Sequence, residues 1–152
     1  MINSFSGEYA FLSNFYQCEI KLDGGIYPSV EHAFQAAKTL DRDIRATIRN
    51  AATCREAKAL GQKVDLRSDW ESAKYDIMDE ILARKFHDHD LAVKLVSTGP
   101  HLLVEGNTWH DQFWGSCSCS KHVGIAGYNA LGILLMHRRL KVGTRWPSSK
   151  ST

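Results

Sequence analysis

Glu31, Gln35 and Lys38 bring a carboxylate, an amide and an amine into one short stretch, Pro28 to Leu40, that reads as a helix. At about 100° per residue the three lie within roughly 60° of each other, beside an apolar face of Val30, Ala33, Phe34, Ala37 and Leu40. A helix edge so equipped can move protons and hold a polar ligand. The same spacing also describes many solvated helix faces, so the edge gains meaning only from the rest of the chain. A second carboxylate, Asp111, stands in Gly106-Asn107-Thr108-Trp109-His110-Asp111-Gln112-Phe113-Trp114-Gly115. That loop is denser in Asn, His, Asp and Trp than core filling requires, and loops are where rigid scaffolds display chemistry. Arg42, Arg45 and Arg49 follow Lys38 closely; they suit either a solvated face or the phosphate of a ligand lying over the helix. Trp70 is either a core anchor or a plate for a flat ring. Asn14, an amide between Phe11 and Phe15, must find partners if buried, and a substrate is one such partner.

The cysteines number four, Cys18, Cys54, Cys117 and Cys119. Cys117-Ser118-Cys119 near His110 and His122 invites a zinc reading. Structural zinc normally takes two ligand pairs of wider spacing, however, and no second pair exists here, so neither a metal nor another cofactor is expected. With no basic-then-apolar leader before Tyr9, reduced thiols are the default.

The elements that must position these residues follow in order. Cys18 to Leu22 alternates apolar and polar residues; Asp23-Gly24-Gly25 supplies a turn and Ile26-Tyr27 a return, predicting a short hairpin. Ser29 is an N-cap type for the helix that carries Glu31. Residues 41–61 predict two short helices divided near Asn50 and Thr53. Ser68 and Glu71 form a capping-box pattern before a long helix running from Trp70 through His87. Leu91 to Thr98 predicts another helix, closed by Gly99-Pro100, and His101 to Glu105 a short strand. Ser116 to Gly127 reads as loop, and Tyr128 to Leu140 as an apolar helix with basic residues at its C-terminal end. Residues 143–152 are expected to be a flexible tail after a single domain spanning 1–142.

Composition narrows the classes. A chain of 152 residues, 43% hydrophobic and 24% charged, is the size and make-up of one globular domain. A net charge of +2 argues against holding nucleic acid by bulk electrostatics, while leaving room for a local basic cleft. No apolar run approaches the roughly 18–20 residues of a membrane span. The expectation is a cytoplasmic protein without a membrane partner.

Five blocks carry a resemblance: Phe11-Leu12-Ser13-Asn14-Phe15, Ser29 to Lys38, Arg67-Ser68-Asp69-Trp70, Asp111-Gln112-Phe113-Trp114-Gly115, and Asn129-Ala130-Leu131-Gly132 with Leu134-Leu135-Met136. In this order they resemble the NADAR family of YbiA-like N-glycosidases over nearly the whole chain. The resemblance implies a compact, predominantly helical α+β domain with a small N-terminal β-hairpin, and hydrolysis of a ribosyl C–N bond. Family substrates are phosphoribosylaminopyrimidine intermediates of riboflavin synthesis and ADP-ribose attached to guanine bases of DNA or RNA. Glu31, Lys38 and Asp111 match catalytic positions; Asn14, Trp70 and Asn129 match substrate-binding positions, to which Trp114, Arg42 and Arg67 are added. Relatives carry a Gly/Asp-rich loop where this chain has Ser116-Cys117-Ser118-Cys119-Ser120-Lys121-His122.

That reaction puts positive charge on the anomeric carbon and ring oxygen, so a nearby carboxylate stabilises it and a second acid or base assists the leaving base or water. Lys38 would act either as an electrostatic partner or as an amine that forms a Schiff base with the opened sugar. The alternative is a module that binds ADP-ribose or a nucleotide without cleaving it.

Overall fold

The computed structural model describes residues 1–145 of the chain. Six α-helices, a short 3-10 helix at Gly7–Leu12 and two small two-stranded sheets make up the described residues. This is the α+β, predominantly helical composition expected. The chain separates into two compact units, Asn14–Lys85 and Met1–Ser13 with Phe86 onward.

In the Asn14–Lys85 unit, strand β1 (Gln17–Leu22) pairs antiparallel with β2 (Gly25–Ser29) around Asp23-Gly24, both at positive φ, with a register irregularity between Gln17 and Ile20. The predicted hairpin is present. Helix α1 (Val30–Ala36) follows without a loop, and Ser29 caps it by accepting the His32 N–H at 3.1 Å, a contact of about 1 kcal/mol. The helix is shorter than the predicted Pro28 to Leu40: Pro28 belongs to β2, and Lys38 lies in the turn beyond the Ala37 C-cap. All seven residues of α1 are buried, because it packs on β2, α2 (Arg42–Arg49), α3 (Cys54–Gly61) and α4 (Trp70–Lys85) at once. A short helix surrounded on every side buries its polar edge along with its apolar face.

Helix α4 starts at Trp70 and ends at Lys85, two residues before the predicted end. The predicted Ser68/Glu71 capping box does not form: the Glu71 carboxylate takes Lys74 Nζ at 2.8 Å instead. The Asp69 carboxylate just ahead of the helix is held by Arg67 through two hydrogen bonds of 2.6 and 3.0 Å.

In the other unit, α5 (His89–Ser97), capped by Asp88, packs against α6 (Ala130–Arg145). The predicted strand at His101 to Glu105 is reduced to one parallel bridge, Ile2 with Leu103. It goes no further because the N–H that would continue the ladder, that of Gly106, turns back onto the Val104 carbonyl at 2.9 Å. Strand pairing falls later, as β3 (Gly106–Asn107) parallel to β4 (Ser116–Cys117). Helix α6 begins two residues later than predicted and runs through Gly143 and Thr144 to Arg145, so the expected tail starts at 146 at the earliest; its remainder lies outside the described residues. No helix among the described residues is long and apolar enough to cross a membrane.

Candidate active site

The two polar residues inside α1 touch each other. Gln35 Nε2 donates to Glu31 Oε1 at 2.8 Å, as residues four apart on a helix can, and both are buried, Glu31 to 7% exposure. Burial pushes the Glu31 carboxyl up, toward the protonated acid; the Gln35 hydrogen bond and the charges of Lys58 and Lys38 pull it back without cancelling that effect. Lys38 is half-buried, and desolvation drives its ammonium down toward the neutral amine; Glu31 opposes that and Lys58 assists it. A carboxyl inclined to keep its proton thus adjoins an amine inclined to lose one. Lys58, on α3, is the group that the sequence did not single out. It stands in a run of ordinary helix formers, and only the contact of α3 with α1 brings it to the pair.

Three neighbours fix this edge. Trp70 is only 5% exposed, with its ring 5.1 Å from Phe34 and the Lys38 Nζ 6.0 Å from its centroid. Trp70 is thus packed as a core side chain is, with Lys38 resting against its ring. Arg67 N–H donates to the Lys38 carbonyl at 2.8 Å, holding the turn, while its guanidinium is committed to Asp69. Gly61, at the end of α3, supplies the third constraint: a Cβ there would run into Gln35 Oε1.

Asn14 reaches the same edge through its backbone, whose carbonyl accepts the Glu31 N–H at 3.0 Å. Its Oδ1, like Gln35 Oε1, is a buried acceptor with no hydrogen-bond partner among the described residues. Of the arginines, Arg45 is spent on the Thr39 carbonyl (2.6 Å) and Asp23 (3.2 Å), and Arg49 sits over the Tyr27 ring at 5.9 Å. Arg42 is exposed at the start of α2. His32 is buried beside Glu31 but serves the fold: its Nε2 faces the Ala51 carbonyl at 3.0 Å and its Nδ1 the Ser29 hydroxyl at 2.7 Å. Nε2 therefore carries the proton, and Ser29 is a cap rather than a nucleophile.

The remaining predicted residues lie in the other unit. Asp111 Oδ1 accepts the backbone N–H groups of Phe113 (3.0 Å) and Trp114 (2.9 Å), so one of its oxygens builds the loop. Trp114 is half-buried, edge-on to Phe113 at 4.9 Å. Asn129 has both ends of its amide engaged, Oδ1 by the Glu105 N–H and Nδ2 on the Leu103 carbonyl, each at 2.9 Å. At φ 55° it makes the turn into α6. The substrate-binding role suggested by its motif meets a side chain already used by the backbone. A groove of about 690 Å³ in this unit is lined by Asn107, Trp109, Cys117 and Asn129 among others, and includes none of the α1 residues.

A helical α+β fold with a buried acid beside a half-buried amine defines a chain equipped for acid–base or nucleophilic work on a polar ligand. The NADAR domain model matches residues 3–142, and the chain belongs to that family. It is 40% identical to the N-glycosidase YbiA of Escherichia coli strain K12 over 139 residues, 90% of this chain and 83% of that protein. It is 33% identical to a riboflavin biosynthesis protein of Vibrio vulnificus over 131 residues, 84% of this chain but 34% of that longer one. The NMR structure of the E. coli YbiA protein superposes with a TM-score of 0.78 at 35% identity, covering 95% of this chain and 86% of that one.

Proposed function

We propose that this chain, an N-glycosidase of the NADAR family, cleaves the C–N bond of a phosphoribosylated pyrimidine, with Glu31 and Lys38 at the reacting sugar. The carrying observation is the placement of the two groups: the buried Glu31 carboxyl, 2.8 Å from Gln35, and the half-buried Lys38 in the turn that ends the same helix, with burial shifting the first toward the acid and the second toward the amine. Asn14 Oδ1 and Gln35 Oε1, buried acceptors with no partner among the described residues, leave hydrogen-bonding capacity beside the pair for a polar ligand.

In the reaction so drawn, Glu31 protonates the ribose ring oxygen, the ring opens, and Lys38 Nζ adds to C1. The C1–N bond to the base then breaks, the amine proton passing to the departing base, and water hydrolyses the resulting iminium to free sugar and amine. Asp111 keeps Oδ2, the oxygen its loop does not use, as a further candidate acid or base in its own unit. Arg42 meets the phosphate.

A small metabolite is favoured over ADP-ribosylated guanine in DNA or RNA because the basic stripe is largely committed. Arg45 and Arg49, which a nucleic-acid backbone would need, hold the hairpin instead, and the net charge is only +2. The similarity to a riboflavin biosynthesis protein supports the same choice. The test offers a phosphoribosylaminopyrimidine and an ADP-ribosylated oligonucleotide side by side and quantifies the released base and reducing sugar. Release from the first, abolished by Glu31→Gln, is expected; full activity of that variant, or turnover of the oligonucleotide alone, overturns the reading.

A further inference from the structure

Apart from α1, the densest chemistry in the chain is the loop that departs from the family pattern. His110, Cys117, Cys119 and His122 offer four soft donors whose ligand atoms all lie within 4.8 Å of one another. Cys119 Sγ is 3.1 Å from His110 Nδ1 and 3.2 Å from His122 Nδ1, and the two imidazoles meet edge-on with centroids 5.5 Å apart. Donors of a tetrahedral zinc, bound at about 2.0–2.3 Å, are about 3.3–3.8 Å apart, so only a small closure separates the cluster from a coordination sphere.

We propose that His110, Cys117, Cys119 and His122 form a structural zinc site that pins the loop carrying Asp111 and Trp114. Along the sequence, Cys117 and Cys119 lack the second ligand pair of wider spacing that structural zinc normally takes. Folding removes that objection by bringing His110, seven residues before Cys117, back onto the Cys-x-Cys-x-x-His turn.

The backbone around the donors is built to hold them. Cys117 lies in β4 with its N–H on Gln112 Oε1 at 2.7 Å, and the Cys119 N–H points to Cys117 Sγ at 3.4 Å, the kind of N–H···S contact that supports a bound thiolate. His122 closes a turn on the Cys119 carbonyl at 2.9 Å. His110 occupies the left-handed region at φ 71°, a conformation costing a non-glycine residue of order 1 kcal/mol. It is held there by the Asn107 side chain, which bonds both the N–H (3.2 Å) and the carbonyl (2.7 Å) of Asp111. Two thiolates and two neutral imidazoles make a charge-balanced site for a divalent ion, and soft sulfur with imidazole selects zinc over magnesium or calcium.

The test uses the tag-free full chain purified under reducing conditions and dialysed against metal-free buffer. One zinc per chain by elemental analysis is expected, and cobalt exchange gives a thiolate-to-cobalt charge-transfer band with tetrahedral visible bands. Cys119→Ser loses both signals, whereas Cys18→Ser keeps both. A readout that needs no variant accompanies these: in the native chain two thiols react with a disulfide reagent, and the other two only after a chelator is added. Substoichiometric metal after reconstitution with excess zinc salt, the absence of cobalt bands, or four thiols equally reactive before chelation each overturn the site.

Discussion

The edge of α1 and the loop between β3 and α6 hold equally dense sets of polar side chains, yet use them in opposite ways. On α1 the polar atoms are sealed in by neighbouring elements and left partly unspent: Glu31 is held by Gln35 alone, and Gln35 Oε1 has no partner among the described residues. In the loop, Asn107, Asp111, Gln112, Ser116 and Asn129 all hydrogen-bond the backbone. The first arrangement costs stability and reserves groups for a ligand; the second replaces the hydrogen bonds a regular element would have made. A motif residue therefore points to chemistry when its side chain is buried without a complete set of partners, and to architecture when the backbone has claimed it.

The contrast can be broken most sharply at Glu31. Glu31→Gln should lower kcat by about 10³-fold, a general-acid effect, while raising Tm, because a buried ionisable group is replaced by an amide that still faces Gln35. The sign of the pH dependence follows from the raised carboxyl: the folded chain holds this proton more tightly than the unfolded one. The contribution is thus fully present at pH values below the ordinary carboxylate value of 4.5 and is lost as pH rises through the folded value. Urea titrations across pH should show that decline in the native chain and its loss in the variant. A Tm that falls in the variant would place Glu31 with the loop residues.

Next in size is Lys38. Lys38→Met should lower kcat by about 10²-fold or more, and borohydride added during turnover should leave a reduced sugar on Lys38 in the native chain, read by peptide mass. Unmodified Lys38 under confirmed turnover leaves only the electrostatic role. Asp111 separates charge from architecture: Asp111→Ala removes two backbone contacts and should cost about 2–3 kcal/mol in denaturant titration, whereas Asp111→Asn should keep the fold and lose activity about 10²-fold. An Asn variant with native activity would make Asp111 purely a loop builder. Gly61→Ala displaces Gln35 from Glu31 and should cost about tenfold in kcat, with the alkaline limb of the rate profile, where the acid is lost, moving to higher pH as the carboxyl loses its donor. The smallest effect belongs to Arg42→Ala, a rise of a few-fold in KM with kcat retained, as expected for uniform binding of a phosphate.

Much of this was legible in the sequence. The hairpin, the Ser29 cap, α4 and α6 follow from turn residues and hydrophobic period, and the 3.6-residue repeat placed Glu31 beside Gln35 before any coordinates. What escaped were contacts between elements. Lys58 joins the pair only because α3 packs on α1, and Gly61, in the sequence no more than the end of the helical stretch 41–61, makes room for Gln35. Trp70 as anchor, and Asn129 as a clamp on the segment 103–105, depend on partners distant in sequence, as does the assembly of His110 with Cys117, Cys119 and His122. The α1 helix itself came out shorter because flanking residues join β2 and the following turn, a tertiary choice that periodicity does not carry.

The pairing of β3 with β4 has a further consequence. Parallel strands usually require a crossover of a dozen or more residues, most often a helix, but only positions 108–115 join Asn107 to Ser116. The eight positions between them are folded back rather than stretched: the Asn107 side chain bonds both the N–H and the carbonyl of Asp111, and Asp111 Oδ1 takes the N–H groups of Phe113 and Trp114. Side chains thus do the work that a crossover helix does elsewhere, turning the chain by local contacts instead of by length.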